Sequence, residues 1–110
     1  MATAFSVILV TAASDEEAGR IAHELVSQRL AACVNILGPI RSVYSWRDQV
    51  HDESERLLIV KTRAELVPEV EARVRALHSY ETPEVIALPI ASGSEPYLDW
   101  IWAETRGAGK

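Results

Sequence analysis

The stretch A-C-V-N-I-L-G-P-I-R-S-V-Y-S-W, Ala32 to Trp46, decides the fold of this chain. It is rich in β-branched and aromatic residues and has no helical period, so it reads as strand. Its one interruption is Gly38-Pro39, where proline removes a ladder donor and glycine permits a bend. The run is one long bent strand or two short ones, about three times the usual strand length. The polar segment R-D-Q-V-H-D-E-S-E, Arg47 to Glu55, then reads as a turn, and R-L-L-I-V-K, Arg56 to Lys61, as a returning strand. A long hairpin therefore occupies the middle of the sequence.

On its N-terminal side, F-S-V-I-L-V (Phe5 to Val10) is an apolar β-rich run too short for a helix, closed by the small residues Thr11, Ala12 and Ala13. Ser14 and Glu17 form a capping box; Ala18, Ile21, Ala22, Leu25 and Val26 follow at helical spacing, predicting a helix to about Arg29. On the C-terminal side, Thr62 with Glu65 predicts a second capped helix, with Pro68 in its first turn and Leu66, Val70, Val74 and Leu77 as its apolar stripe. Glu84 to Ile90 reads as a strand whose late Pro89 suits a sheet edge. Ser94, Pro96, Leu98, Ile101 and Trp102 predict a short third helix, and the tail from Ala103 to Lys110 is expected to fray. The order β-α-β-β-α-β plus a short C-terminal helix is an α+β arrangement, the split βαβ or ferredoxin-like topology. It has an antiparallel sheet with both long helices on one face and strands one and three at the centre.

A length of 110 residues with 48% hydrophobic content suits one core, so residues 1–110 are read as a single domain. No apolar run approaches the roughly 20 residues that span a bilayer, and the first residues lack a basic leader region. A cytoplasmic location is expected. The lone cysteine, Cys33, excludes an internal disulfide and fits a reducing compartment. A formal charge of −5 disfavours nucleic acid and anionic membrane as partners and mildly favours cations.

Helices on one side need only alternate strand residues to be apolar. Here both faces are apolar: Val7 and Leu9 against Ile8 and Val10, Leu57 and Ile59 against Leu58 and Val60. A two-turn third helix is too small to cover the second face alone. Tyr44 and Trp46, projecting from the overhanging hairpin, are candidate oligomer contacts, with local packing on their own chain as the alternative. Together these features favour a cyclic homo-oligomer.

No residue set forms a nucleophile triad, and three other uses of this topology lack their residues here, which leaves enzyme readings weak. The loop after strand one, T-A-A-S-D-E, has no C-x-x-C thiol pair for a heavy metal and no glycine-rich arginine cradle for acyl phosphate, while R-L-L-I-V-K lacks stacking aromatics for RNA. A cysteine at the start of an apolar strand is more often a small core hydrophobe than a reactive thiol, and Lys61 is the cation that would activate Cys33. His23 falls off the apolar stripe of its helix, and His51 lies among Asp48, Asp52, Glu53 and Glu55 in a solvated acidic segment. His78 ends helix two, where the helix dipole favours an imidazolium. Glu81 and Glu84 follow it at spacings of three, so His78 is also the candidate metal ligand.

The blocks R-L-A-A-C-V-N-I (Arg29 to Ile36), S-V-Y-S-W (Ser42 to Trp46), L-I-V-K-T (Leu58 to Thr62), H-S-Y-E-T-P-E-V-I-A-L-P-I (His78 to Ile90) and Y-L-D-W-I (Tyr97 to Ile101) span nearly the whole chain. In combination and order they resemble the CutA divalent-cation tolerance family. The resemblance implies a non-enzymatic ferredoxin-like homotrimer, architecturally like the PII signalling proteins, with a role in tolerance of divalent cations, copper especially. It implies no required cofactor. The family's copper ligands, a cysteine after strand one and adjacent histidines at the end of helix two, correspond here to Val10, Leu77 and His78, so His78 alone carries over. A second class of function, by analogy with PII trimers, is a small-ligand sensor or an adaptor binding at inter-subunit clefts, for which Cys33, Lys61, Tyr80 and Glu84 are candidate lining residues.

Overall fold

The computed structural model describes residues 3 to 107. Its elements are β1 (Phe5–Ala12), α1 (Asp15–Ser27), β2 (Cys33–Trp46), β3 (Gln49–Arg63), α2 (Val67–Leu77), β4 (Val85–Pro89) and α3 (Glu95–Glu104). The strands form one antiparallel sheet in the order β2-β3-β1-β4, with β1 and β3 central and β4 at an edge. This is the ferredoxin-like order, and Pro89 lies on the edge strand where a missing donor is tolerated.

Alternation along the central strands sorts their side chains. Ile8, Val10 and Ala12 of β1 and Leu58 and Val60 of β3 lie under the helices, against Ile21 and Leu25 of α1 and Val70 and Val74 of α2, all without exposed surface. Each such burial removes roughly 1.5–3 kcal/mol worth of apolar surface from water. Helix α1 starts at Ser14, whose Oγ accepts the Glu17 N–H at 3.1 Å.

Three expectations from the sequence need correction. The acidic segment is not a turn: β3 begins at Gln49, and only Arg47 and Asp48, with φ of 52° and 64°, reverse the chain. Two left-handed residues in a two-residue hairpin match the twist of the strands. The segment looks like loop because most of its side chains, up to Ser54, face solvent. Two of its acids are satisfied across the ladder, Arg41 donating to both oxygens of Asp52 at 2.8 and 2.6 Å, and Tyr44 to Glu53 at 2.5 Å.

Thr62 does not cap helix two. It is fully buried in β3 and its hydroxyl donates to the Leu30 carbonyl at 2.6 Å, while a 3-10 turn, Ala64–Leu66, leads into α2. The tail is held rather than frayed as far as Arg106. Thr105 is buried, and Arg106 donates its N–H to the Arg29 carbonyl at 2.9 Å and its guanidinium to Glu69 at 3.0 Å. Residues 108–110 of the predicted tail lie outside the described residues.

Arg63 is what fastens α3. Its guanidinium lies 3.5 Å from the Trp102 ring centroid and donates to the Thr105 hydroxyl at 2.9 Å and the Trp102 and Thr105 carbonyls at 2.8 Å. Phe5 meets Trp102 edge-on at 6.2 Å. The helix thus covers the end of the second sheet face where Phe5 pairs with Arg63. Farther along that face Ile86 and Leu88 stay about half exposed, at 49% and 48%.

Replacing Arg63 with Met keeps apolar volume beside Trp102 but removes its three hydrogen bonds to the end of α3, leaving the Arg29 guanidinium on the Ala103 carbonyl at 2.8 Å. Hydrogen bonds from a charged group contribute roughly 1.5–3 kcal/mol each and do not add simply, so the expected loss is about 3 kcal/mol. Urea unfolding at fixed protein concentration reads it; an unchanged midpoint would mean that α3 is held by ring contacts and the Arg29 bonds instead.

Candidate functional site

The turn between α2 and β4 lies beside the end of β1 and meets the outer half of the hairpin, up to Arg47 at its tip. The turn is rigid because His78 and Glu17 bind its backbone. His78 caps α2 in an extended conformation (φ −81°, ψ 144°), and its N–H closes the helix on Val74. Its side chain is fully buried. Nδ1 accepts the Tyr80 N–H at 3.0 Å, which leaves the proton on Nε2 to donate to the Thr11 carbonyl at 2.6 Å. The neighbouring carboxylate of Glu17, 4% exposed, accepts the Ala13 N–H at 3.1 Å and the Ser79 N–H at 2.7 Å. Burial works against ionising Glu17, but these amide bonds and the nearby His78 ring outweigh it and hold the carboxyl below its ordinary value.

Tyr80, placed by this turn, stacks obliquely on His78 with 4.6 Å between centroids and donates its hydroxyl to Glu55 Oε2 at 2.7 Å. Burial and the Glu55 acceptor push its phenol well above the usual range. From the other side the hairpin closes in. Arg47 forms a 2.7 Å ion pair with Glu81 and lies 5.4 Å over the Trp46 ring. Tyr44 stacks on His51 at 5.1 Å, and its hydrogen bond to Glu53 pushes the phenol up to about 12. Between these walls is a cleft of about 600 Å³, lined mainly by Tyr44, Trp46, Glu55, Tyr80, Glu81 and Glu84. Burial, then repulsion from Glu55, raises the Glu84 carboxyl.

The residues expected from sequence are therefore divided. Tyr80 and Glu84 share the cleft with Tyr44 and Trp46. Cys33 and Lys61 do not: they face each other across the ladder, six strand residues from Glu55, which is about 20 Å along β3. Cys33 is half-buried rather than a core residue, because the period of two puts Val34 and Val60 on the helix side and Cys33 on the other. Its Sγ lies 3.8 Å from Asn35 Oδ1, and the Lys61 ammonium also binds Asn35 rather than the thiol. Burial and the adjacent Cys33 raise the phenol of Tyr97, which approaches from α3.

The ligand set implied for copper does not fit here. Val10 is a core side chain, Leu77 is apolar and both nitrogens of His78 are engaged. Among the described residues no group of three or more His, Cys, Asp and Glu side chains converges on a metal position. Glu55 is the cleft residue that sequence reading missed. Had the strand period been extended back from Ile59 and Leu57, it would have placed Glu55 in line with them.

Because the native Glu17 carboxyl is held down, its stabilising contribution is complete above its ordinary value of roughly 4.5 and is lost as pH falls through the lower native value. Glu17→Gln is expected to cost about 2 kcal/mol near neutrality, a difference that shrinks in acid. Thermal unfolding of both proteins from neutral to acid pH checks this; a gap independent of pH would mean that shape rather than charge matters.

The chain is similar to known proteins over nearly all its length. The model of the CutA1 divalent ion tolerance protein family matches residues 6–104. The divalent-cation tolerance protein CutA of Thermus thermophilus is 48% identical over 99 residues, covering 90% of this chain and 96% of that protein. The chloroplastic CutA of Arabidopsis thaliana is 47% identical over 100 residues, covering 91% of this chain, which spans only 55% of that longer relative. The crystal structure of CutA1 from Oryza sativa has a TM-score of 0.93 at 43% identity, covering 97% of this chain and 98% of that one. By its matched length, identity and fold, the chain belongs to the CutA1 divalent ion tolerance family.

Proposed function

We propose that this chain acts in tolerance of divalent cations, without catalysis and as a homotrimer. The observation that carries this reading is near full-length likeness to a protein named for divalent-cation tolerance. The apolar sheet face beyond α3 and the hairpin residues Val43 and Val50, 63% and 78% exposed, support self-assembly, since a soluble monomer rarely leaves such patches open. The −5 charge supports attraction of cations. Copper contact, on this reading, is weak: the open donors are carboxylate oxygens, whereas copper favours the imidazole and thiolate groups that are engaged or distant here. A cytoplasmic location remains part of the proposal, supported by the single thiol of Cys33.

A second reading, a PII-like sensor of a small ligand, is favoured by one observation. The cleft of about 600 Å³ lies within the range of small-molecule sites.

Light scattering should give a mass three times the 12.2 kDa of the chain; a monomer at micromolar concentration would sink the assembly. Copper titrated by calorimetry into wild type and His78→Ala should give the same weak isotherm, and heat lost only in the variant would return His78 to the coordination sphere. A host lacking its own relative should grow better under copper stress when it expresses the chain. Equal growth would remove the tolerance reading.

A further inference from the structure

We propose that the cleft between the hairpin and the turn after α2 binds an organic cation, an alkylammonium or alkylguanidinium, at the Glu55 carboxylate. This inference rests on the small-ligand reading and names the ligand's class.

Glu55 is the key observation. It is a charged residue 5% exposed, yet among the described residues it takes part in no ion pair. Its neighbour Arg56 turns instead to Asp15, at 2.6 Å. One side-chain hydrogen bond reaches it, from the Tyr80 hydroxyl to Oε2; Oε1 receives none among the described residues. Oε1 is thus open to the cleft and available as an acceptor for a cation there. Glu55 lines the cleft, as does Glu84. Arg47 is the one cationic residue in the lining, and it is already paired with Glu81.

The walls distinguish an organic cation from a metal ion. Tyr44 and Trp46 add aromatic surface to the lining, which suits a cation near a ring face. A volume of about 600 Å³ is far larger than one ion needs, and the described residues offer no cluster of three metal ligands. Ammonium and guanidinium share the requirement for a carboxylate acceptor; guanidinium alone could donate to both oxygens of one carboxylate.

The test is calorimetric titration of the intact oligomer with butylammonium, butylguanidinium, 1-butanol and manganese(II). Both organic cations should bind saturably, with the tighter one identifying the head group, and 1-butanol should bind at least tenfold more weakly. Glu55→Gln, which keeps an acceptor for Tyr80, should weaken cation binding at least tenfold, as should Glu84→Gln to a lesser degree. Glu71→Gln, on the exposed face of α2, should not change it. Absence of saturable binding by either cation, equal binding of 1-butanol, unchanged affinity in Glu55→Gln, or Glu55-dependent binding of manganese alone would each overturn the proposal. A thermal-shift screen separates this failure from that of the sensor reading. A neutral or anionic stabiliser would leave a sensor without a cation site, whereas no stabiliser of any charge would sink both.

Discussion

The central strands are apolar on both faces, and the rest of the molecule is arranged around that constraint. A strand alternates its side chains, so β1 and β3 offer two apolar surfaces to a chain whose long helices cover one. Helices α1 and α2 enclose Ile8, Val10, Leu58 and Val60, and α3 is bolted by Arg63 over the end near Phe5. What α3 leaves open, around Ile86 and Leu88, stays about half exposed among the described residues. The homotrimer proposed above would take its contact surface from the same alternation that builds the core.

The hairpin is the second consequence. A strand pair as long as β2 and β3 extends well beyond the helices, and its outer part must be stabilised by cross-strand pairs such as Arg41 with Asp52 rather than by a core. Its outer half lies beside the turn after α2, and there the two segments enclose space instead of packing. The cleft thus exists because a strand overhangs a domain too small to fill beneath it.

Most of the fold was legible because it depends on local periodicity. Strand order, the edge position of Pro89 and the Ser14 cap all follow from patterns of two, of 3.6 and of turn residues. The acidic stretch of β3 from Gln49 to Ser54 was not legible, since a strand largely solvated on both faces has the composition of a loop and its ladder is visible only once β2 is opposite. Thr62 failed for a related reason: its hydroxyl was satisfied by Leu30, thirty-two positions away, not by its own helix. Tyr80 and Glu84, expected from sequence at an inter-subunit cleft, line the cleft within the chain because both flank the turn between α2 and β4. Cys33 and Lys61 were grouped with them because they also lie at strand ends, and sequence alone does not say which end.

Two buried glutamates show how the site differs from its scaffold. Glu17 and Glu55 are almost equally enclosed, at 4% and 5% exposure, and carry the same carboxylate. Glu17 receives two amide donors that it ties together from separate segments, so removing water from it is offset and the turn gains rigidity. Glu55 receives one hydroxyl and faces open volume. If both served only the fold, both would be expected to carry comparable partners. The fold completes Glu17 internally and leaves Glu55 to be completed from outside, and the rigidity that Glu17 and His78 give to Tyr80 is what holds that opening in place.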